Sequence, residues 1–231
     1  MIQSYYTAIN GAKSNQENLN VISNNMANIQ TEGFKKSKAE FSELLYSNIK
    51  NSTNEAVIGS GSKLNKVDVV FSQGPIVNTD RNTDFAITGD GFFQVQFGEI
   101  TKFTRDGNFD IANVDGENFL LYQGGYVLDS DENPIIIEDK NAEVINVGLF
   151  QFENNENLVR SGNNLYHIEN ENANYSASQS QNVLRGYLEQ SSVDITEEMI
   201  NLLKSQRSFQ LNSKIIQTAD EIEQTINSLK N

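Results

Sequence analysis

The chain has 231 residues, enough for one large domain or two small ones. Its 31 acidic residues outnumber 17 basic ones, giving a net charge of −14; this disfavours a nucleic-acid backbone or an anionic lipid surface as partner. The absence of cysteine excludes disulfides, thiol catalysis and cysteine-ligated metals, and the single histidine, His167, excludes a multi-histidine metal site. No apolar run approaches the ~20 residues of a bilayer-spanning helix, so no membrane insertion is expected. The start, Met1-Ile2-Gln3-Ser4-Tyr5-Tyr6, lacks the basic and apolar regions of a cleaved secretory signal. Taken alone, these features point to the cytoplasm.

In chain order, the first predicted element is an amphipathic helix. Ile2, Tyr5, Ile9, Ala12, Leu19, Ile22, Met26 and Ile29 recur mostly at steps of three or four, with Lys13, Gln16, Glu17 and Asn20 between them. Gly33 suits a left-handed turn after it. Ser37 and Glu40 have capping-box spacing, which predicts a short second helix presenting Phe41, Leu44, Leu45 and Ile49. Residues 50–66 are rich in Asn, Ser and Gly and read as a linker or mobile loop.

The middle, 67–186, reads as β structure. Phe93, Val95 and Phe97 alternate with Gln94 and Gln96, as in a half-buried strand. Asp106-Gly107 predicts a hairpin turn between Phe103 and Phe109, and Gly124-Gly125 another between Leu120–Tyr122 and Tyr126–Leu128. Ile135–Ile137 and Val144–Phe152 are further strand candidates, and Ser161-Gly162-Asn163-Asn164 is a further turn.

After Gly186 neither Gly nor Pro occurs. Asp194 with Glu197 resembles an N-cap and its reciprocal partner. Ile195, Met199, Leu202, Gln206, Phe209, Ser213 and Ile216 then alternate steps of four and three. A second stripe, Ile215, Ala219, Ile222, Ile226 and Leu229, continues the rhythm after a phase change near residue 215. A helix of about 35 residues, roughly 50 Å long, cannot bury its own stripe and needs a partner helix. The fold class is therefore mainly β with long terminal α-helices: an outer β domain plus a helical coiled-coil domain formed by both termini.

Sites of chemistry are not evident. Gly59-Ser60-Gly61-Ser62-Lys63 lacks the spacing of a phosphate loop, and Gly89-Asp90-Gly91 lacks the third glycine of a dinucleotide fingerprint. Asp129-Ser130-Asp131-Glu132-Asn133 begins like a calcium loop. However, Pro134 stands where glycine is needed and Lys140 where the bidentate glutamate belongs. His167 lies in a predicted strand and reads as structural. No carboxylate pair is singled out for glycoside hydrolysis. No catalytic, cofactor-binding or metal site is expected.

Several segments together resemble the rod and hook family of flagellar axial proteins. Ile22-Ser23-Asn24-Asn25-Met26-Ala27-Asn28-Ile29-Gln30-Thr31-Glu32-Gly33-Phe34-Lys35 is similar to that family's first signature. Gln73-Gly74-Pro75 and Asp84-Phe85-Ala86-Ile87-Thr88-Gly89-Asp90-Gly91-Phe92-Phe93 resemble a second, leading into Phe103-Thr104-Arg105-Asp106-Gly107-Asn108-Phe109. Gly186–Asp194, Glu198-Met199-Ile200 and Ser205–Lys214, with Gln206, Arg207, Asn212 and Lys214 at the signature positions, resemble the third. The start and the run from Phe41 to Tyr46 look most like the distal-rod type, with the proximal-rod type as the alternative.

The resemblance implies a structural subunit of the basal-body rod, self-assembling into a helical tube that transmits torque and serves as an export channel. It implies a polymerising domain from 1–36 and 187–231 and an outer β domain over 67–186. Between them, 37–66 would be a linker with an export signal, Phe41 followed at the fourth position by Leu45. The self-assembly residues would be Ile9, Leu19, Ile22, Met26, Ile195, Met199, Leu202, Phe209, Ile216, Ile222, Ile226 and Leu229. The implied partners are further copies of the chain, neighbouring rod and hook proteins and the flagellar type III export apparatus, with no cofactor. Export would carry the chain across the cytoplasmic membrane into the envelope. The alternatives are a hook subunit and, from other classes, a peptidoglycan-cleaving envelope enzyme or an acidic adhesin.

Overall fold

The computed structural model describes residues 2–51, 54–137, 146–169, 174–177 and 183–229. The chain forms two compact units. One comprises Met1–Ala27, Lys36–Val70 and Asp194–Asn231, and the other Asn28–Lys35 and Phe71–Val193.

The first unit joins the two ends of the chain. Helix α1 spans Ile2–Ala27 and is free of proline. Strands β1 (Ser37–Glu43), β2 (Ser47–Asn51), β3 (Asn54–Ile58) and β4 (Ser62–Val69) follow. β1 pairs antiparallel with β4, from Ser37 against Val69 to Glu43 against Ser62, with a bulge at Glu40/Phe41. β2 pairs with β3 from Ser47 against Ile58 to Asn51 against Asn54. The long helix at the C-terminal end, α2, covers Ile195–Leu229.

Two sequence expectations fail in this unit. The segment after Ser37 is a strand, not a capped helix, and 50–66 carries β3 and most of β4, not a bare linker. The physical reason lies in Ser37. Asn25 donates from Nδ2 to its carbonyl (2.8 Å) and accepts its N–H at Oδ1 (2.8 Å), so the backbone of the presumed cap is already engaged. From there half-buried Ser37 and Ala39 alternate with exposed Lys38 and Glu40, a period of two.

The expected N-cap of α2 does form. Asp194 Oδ1 accepts the N–H groups of Thr196 (2.7 Å) and Glu197 (3.3 Å). These bonds, the one from Glu197 first, hold the Asp194 carboxyl below its usual range. The Glu197 side chain, expected to reach back to the cap, is instead paired with Lys36 at 3.0 Å.

The second unit is β. Its strands are β5 (Ile76–Asn78), β6 (Phe85–Ile87), β7 (Phe93–Phe97), β8 (Ile100–Thr104), β9 (Asp110–Val114), β10 (Glu117–Tyr122), β11 (Gly125–Val127), β12 (Phe150–Phe152), β13 (Leu158–Gly162), β14 (Leu165–Ile168), β15 (Tyr175–Ala177), β16 (Val183–Arg185) and β17 (Tyr187–Glu189). Seven of them form one antiparallel sheet in the order β13-β14-β8-β7-β11-β10-β9, while β12–β15, β6–β16 and β5–β17 form separate pairs.

Its core gathers Phe85, Phe93, Val95, Phe109, Leu120 and Val127, none more than 1% exposed. Phe93 meets Phe109 edge-on at 5.2 Å, a favoured arrangement of ring quadrupoles. A second aromatic group joins Phe103, Phe150, Phe152 and Tyr175.

The predicted strand at Phe93–Phe97 is β7, and the turns at Gly124 and at Asn163-Asn164 join β10 to β11 and β13 to β14. The predicted Asp106-Gly107 hairpin is not one. Phe103 lies in β8 and Phe109 leads into β9, and these strands are far apart in the sheet order. The pair instead makes a corner at which Gly107 passes against Phe85. A Cβ there would stand 1.7 Å from the Phe85 carbonyl oxygen. Ile135–Ile137 forms no named strand, but it runs beside β10 through Leu120 N–H to Ile135 O (3.1 Å) and Ile137 N–H to Asn118 O (2.7 Å). Of the Val144–Phe152 candidate only β12 is a strand, and Val144 lies outside the described residues.

Candidate functional site

Two groups of residues carry the sequence signatures, one in each unit. The first is the seam between α1 and α2. On α1 the buried residues are Ala8, Ser14, Ile22 and Asn25; on α2 they are Glu198 and Ser205. Asn18 donates to Ser205 Oγ at 2.7 Å, and Asn25, 1% exposed, donates to Glu198 Oε1 at 3.3 Å. At Gly11 a Cβ would come within 2.8 Å of the Asn212 side chain, so the helices pass closely there. Glu198, Ser205 and Asn212 are spaced by seven, and Ala219, the next residue in that series, lines a groove with Ser4, Ile215 and Ile222.

The seam is thus small and polar. The apolar residues predicted for the two helices are mostly not buried. Ile195, Met199, Ile222, Ile226 and Leu229 are exposed, Leu229 by 82%. Ile9, Leu19, Met26, Leu202, Phe209 and Ile216 are half-buried, and Ile22 alone of the predicted set is buried. Small and polar groups let the backbones approach and fix register through hydrogen bonds. Burial drives the Glu198 carboxyl upward, and the Asn25 hydrogen bond partly opposes that. α1 is also tied to the segment around β4: Asn10 donates to Ser60 O (3.0 Å) and Ser14 to Ser62 O (2.9 Å). The Gly59–Lys63 stretch is therefore stitched to the helix.

The second group lies within the β unit, around Glu189. Its Oε1 accepts from Lys35 Nζ (2.5 Å) and from the Gly74 N–H (2.7 Å), and its Oε2 from Arg105 Nη1 (3.3 Å). Its carbonyl accepts the Gly33 N–H (2.7 Å). Lys35 also reaches Ser72 O (2.8 Å), and Arg105 reaches Gly89 O (2.7 Å). The three charged side chains are 1–2% exposed.

Arg105 lies over the Phe92 ring at 5.4 Å, and Arg160 over the Phe34 ring at 4.7 Å. Arg160 also donates to the Lys35 carbonyl. Burial lowers the pKa of both Lys35 and Arg105, with Glu189 the main opposing influence. Gly33 has φ +63°, and a Cβ on it would stand 2.6 Å from the Asp106 nitrogen. Both facts require glycine at that turn.

The signatures Gly33-Phe34-Lys35, Gln73-Gly74, Gly89-Asp90-Gly91-Phe92, Thr104-Arg105 and Tyr187-Leu188-Glu189 therefore converge. Sequence reasoning singled out Gly33, Phe34, Gly89, Gly91, Phe92, Phe93, Arg105 and Gly107. Lys35 and Glu189 stood in the quoted motifs but were not singled out. A signal was present: three signature segments each carry charges, among them Lys35, Arg105 and Glu189, which together make a pairing set. Asn28 and Thr31 close the turn after α1, with Thr31 Oγ1 donating to Asn28 Oδ1 at 3.2 Å. Asn24, Met199, Gln206, Arg207 and Lys214 are exposed.

Among the described residues there is no group of three or more His, Cys, Asp or Glu able to hold a metal ion, and no helix long and apolar enough to cross a membrane. The Asp129–Asn133 stretch closes as a turn through Asp129 N–H to Asn133 O (2.9 Å). Lys140, its twelfth position, lies outside the described residues. Phe41 and Leu45 are 42% and 89% exposed.

Comparison with known proteins agrees with this distribution. Residues 6–35 match the family described as flagella basal body rod protein, 86–149 the flagellar hook protein FlgE/F/G D1 domain, and 184–229 the flagellar basal body rod FlgEFG protein C-terminal. The chain is 35% identical to the flagellar basal-body rod protein FlgG of Bacillus subtilis, over 100% of both chains. It is 32% identical to FlgG of Borreliella burgdorferi, over 100% of this chain and 99% of that one. It is also 32% identical to the flagellar hook-basal body complex protein FlhP of Bacillus subtilis, over 100% of both.

Proposed function

Because the chain belongs to the flagellar basal-body rod family, as a non-enzymatic structural subunit of that rod, we propose that it polymerises through its terminal helices into a tube that carries torque and encloses an export channel. The carrying observation is the exposed apolar set on α2: Ile195, Met199, Ile222, Ile226 and Leu229. Apolar surface of this kind, on one side of α2 near its start and on the other near its end, is stabilised when neighbours cover it, at about 25 cal/mol per Å² of apolar area. Contacts that repeat without closing generate a filament. In this reading 1–36 and 187–231 form the inner, polymerising layer and 67–186 the outer body, and the neighbours are further copies and other rod and hook proteins. Phe41 and Leu45, both exposed, serve the flagellar type III export apparatus, which carries the chain across the cytoplasmic membrane.

Ile222→Asp tests this reading. The free subunit should keep its β unit folded while the rods lose the chain; motile cells whose rods contain the variant would reject it. Immunogold labelling of isolated hook–basal bodies with antibody to the β unit should decorate the rod. Gold on the hook would assign the hook role instead.

A further inference from the structure

The face of α2 turned away from α1 has a charge order of its own. Glu198, Ser205, Asn212 and Ala219 recur every seven residues on the α1 side. Two residues further on, about 200° around the helix, Ile200, Arg207, Lys214, Glu221 and Ser228 form a second series with the same spacing; of these only Lys214 also borders the groove that Ser4 and Ala219 line. Arg207, Lys214 and Glu221 are exposed, and none takes part in the ion pairs formed among the described residues. Two positive charges are thus followed by one negative charge on a single line.

That order discriminates between the ways two parallel copies of α2 can lie along this line. With no offset, Arg207 faces Arg207, Lys214 faces Lys214 and Glu221 faces Glu221. With an offset of seven residues, Lys214 gains Glu221, but Arg207 faces the other copy's Lys214. With an offset of fourteen, Arg207 faces Glu221, Lys214 faces Ser228, and no like charges meet.

We infer that the partner of this face is a second copy of α2, displaced along the helix by fourteen residues, or about 21 Å at 1.5 Å per residue, with Arg207 of one copy against Glu221 of the next. Exposed ion pairs add little affinity. Their effect is on register and choice of partner, as for the flanking charges of coiled coils. The exposed apolar residues supply the attraction, and the charge line sets the stagger. This inference rests on the proposed polymerisation through α2.

Because the chain has no cysteine, the stagger can be read by cross-linking in assembled rods. Arg207→Cys and Glu221→Cys chains are co-expressed and their rods mildly oxidised. Disulfide-linked dimers between the two variants are expected, and none between Arg207→Cys and Lys214→Cys chains. Within one chain the two positions stand about 21 Å apart along the helix, beyond the ~7 Å limit for a disulfide. Charge exchange gives a second reading if the cysteine chains do not assemble. Arg207→Glu and Glu221→Arg should each lower rod incorporation at least tenfold, and the double variant should restore it to within about threefold of the unsubstituted chain. The variants' helical circular dichroism as free subunits should be unchanged. Incorporation indifferent to the single reversals, or cross-links at the zero or seven-residue offset, would overturn the stagger while leaving the polymerisation reading intact. Absence of the unsubstituted chain from rods would overturn both.

Discussion

The two units are held together by opposite means. The β unit closes on an apolar centre of edge-on and tilted aromatic rings, with a buried charge cluster paired around Glu189. The helical unit puts Asn, Ser and Glu at the contact between its helices and leaves much of its apolar surface outside. A protein that folded only for itself would favour the first plan throughout. The second suits a part whose stability is completed by neighbours, since free energy from covering apolar faces becomes available only on assembly.

The comparison can be broken from either side. Glu189→Ala leaves Lys35 and Arg105 buried without their partner and should cost about 3–5 kcal/mol. In urea, the near-ultraviolet signal of buried Tyr122 and Tyr166 should then be lost well before the helical signal. Coincident loss of both would show that the units do not melt separately.

Asn25→Ala removes the bonds to Ser37 and Glu198 and should cost about 2–3 kcal/mol. Here the helical signal should fall first while the tyrosine signal persists.

A pH experiment sharpens the contrast further. Burial raises Asp106 to about 6, against the hydrogen bonds from Asn108 and Tyr122. The folded β unit therefore binds a proton more readily than the unfolded chain. Its stability should rise as pH falls from 7 through about 6 towards the ordinary aspartate range near ~4, by the order of 1–2 kcal/mol, and Asp106→Asn should flatten that rise. The smallest effect is expected from Asn18→Ala. Loss of the 2.7 Å bond to Ser205 should cost about 0.5–1.5 kcal/mol, read as a lower urea midpoint of the helical signal.

Much of this was legible in the order of residues. The long stretch after Asp194 without Gly or Pro announced α2 and its cap, and Gly124 and Asn163-Asn164 announced their hairpins. The seam was not legible. A search for helical faces counts apolar residues, whereas close approach here is made by Gly11, Ala8 and Ser205, which such a count passes over. The strand at Ser37 was hidden because Phe41, Leu44 and Leu45 have helical spacing. Only the contact with Asn25, twelve residues earlier, settles the competition. The corner at Asp106-Gly107 looked like a hairpin because a turn signal says where the chain bends and nothing about which strands pair afterwards. Lys35, Arg105 and Glu189 are joined across more than 150 residues. No local pattern states such a pairing.

The two helices also differ in length. α1 has 26 residues and α2 has 35, a difference of about 13 Å. Every residue of α2 from Asp220 onward is exposed, where earlier turns have at least one covered side. Amide hydrogens along Asp220–Leu229 should therefore exchange within seconds to minutes in the free subunit, while those near Ser205 exchange with the whole helix pair. In a finished polymer the same ten residues would be among the slowest. The tail of α2 thus acts as a clock, whose rate of deuterium uptake reports, for any preparation, what fraction of subunits has found its place.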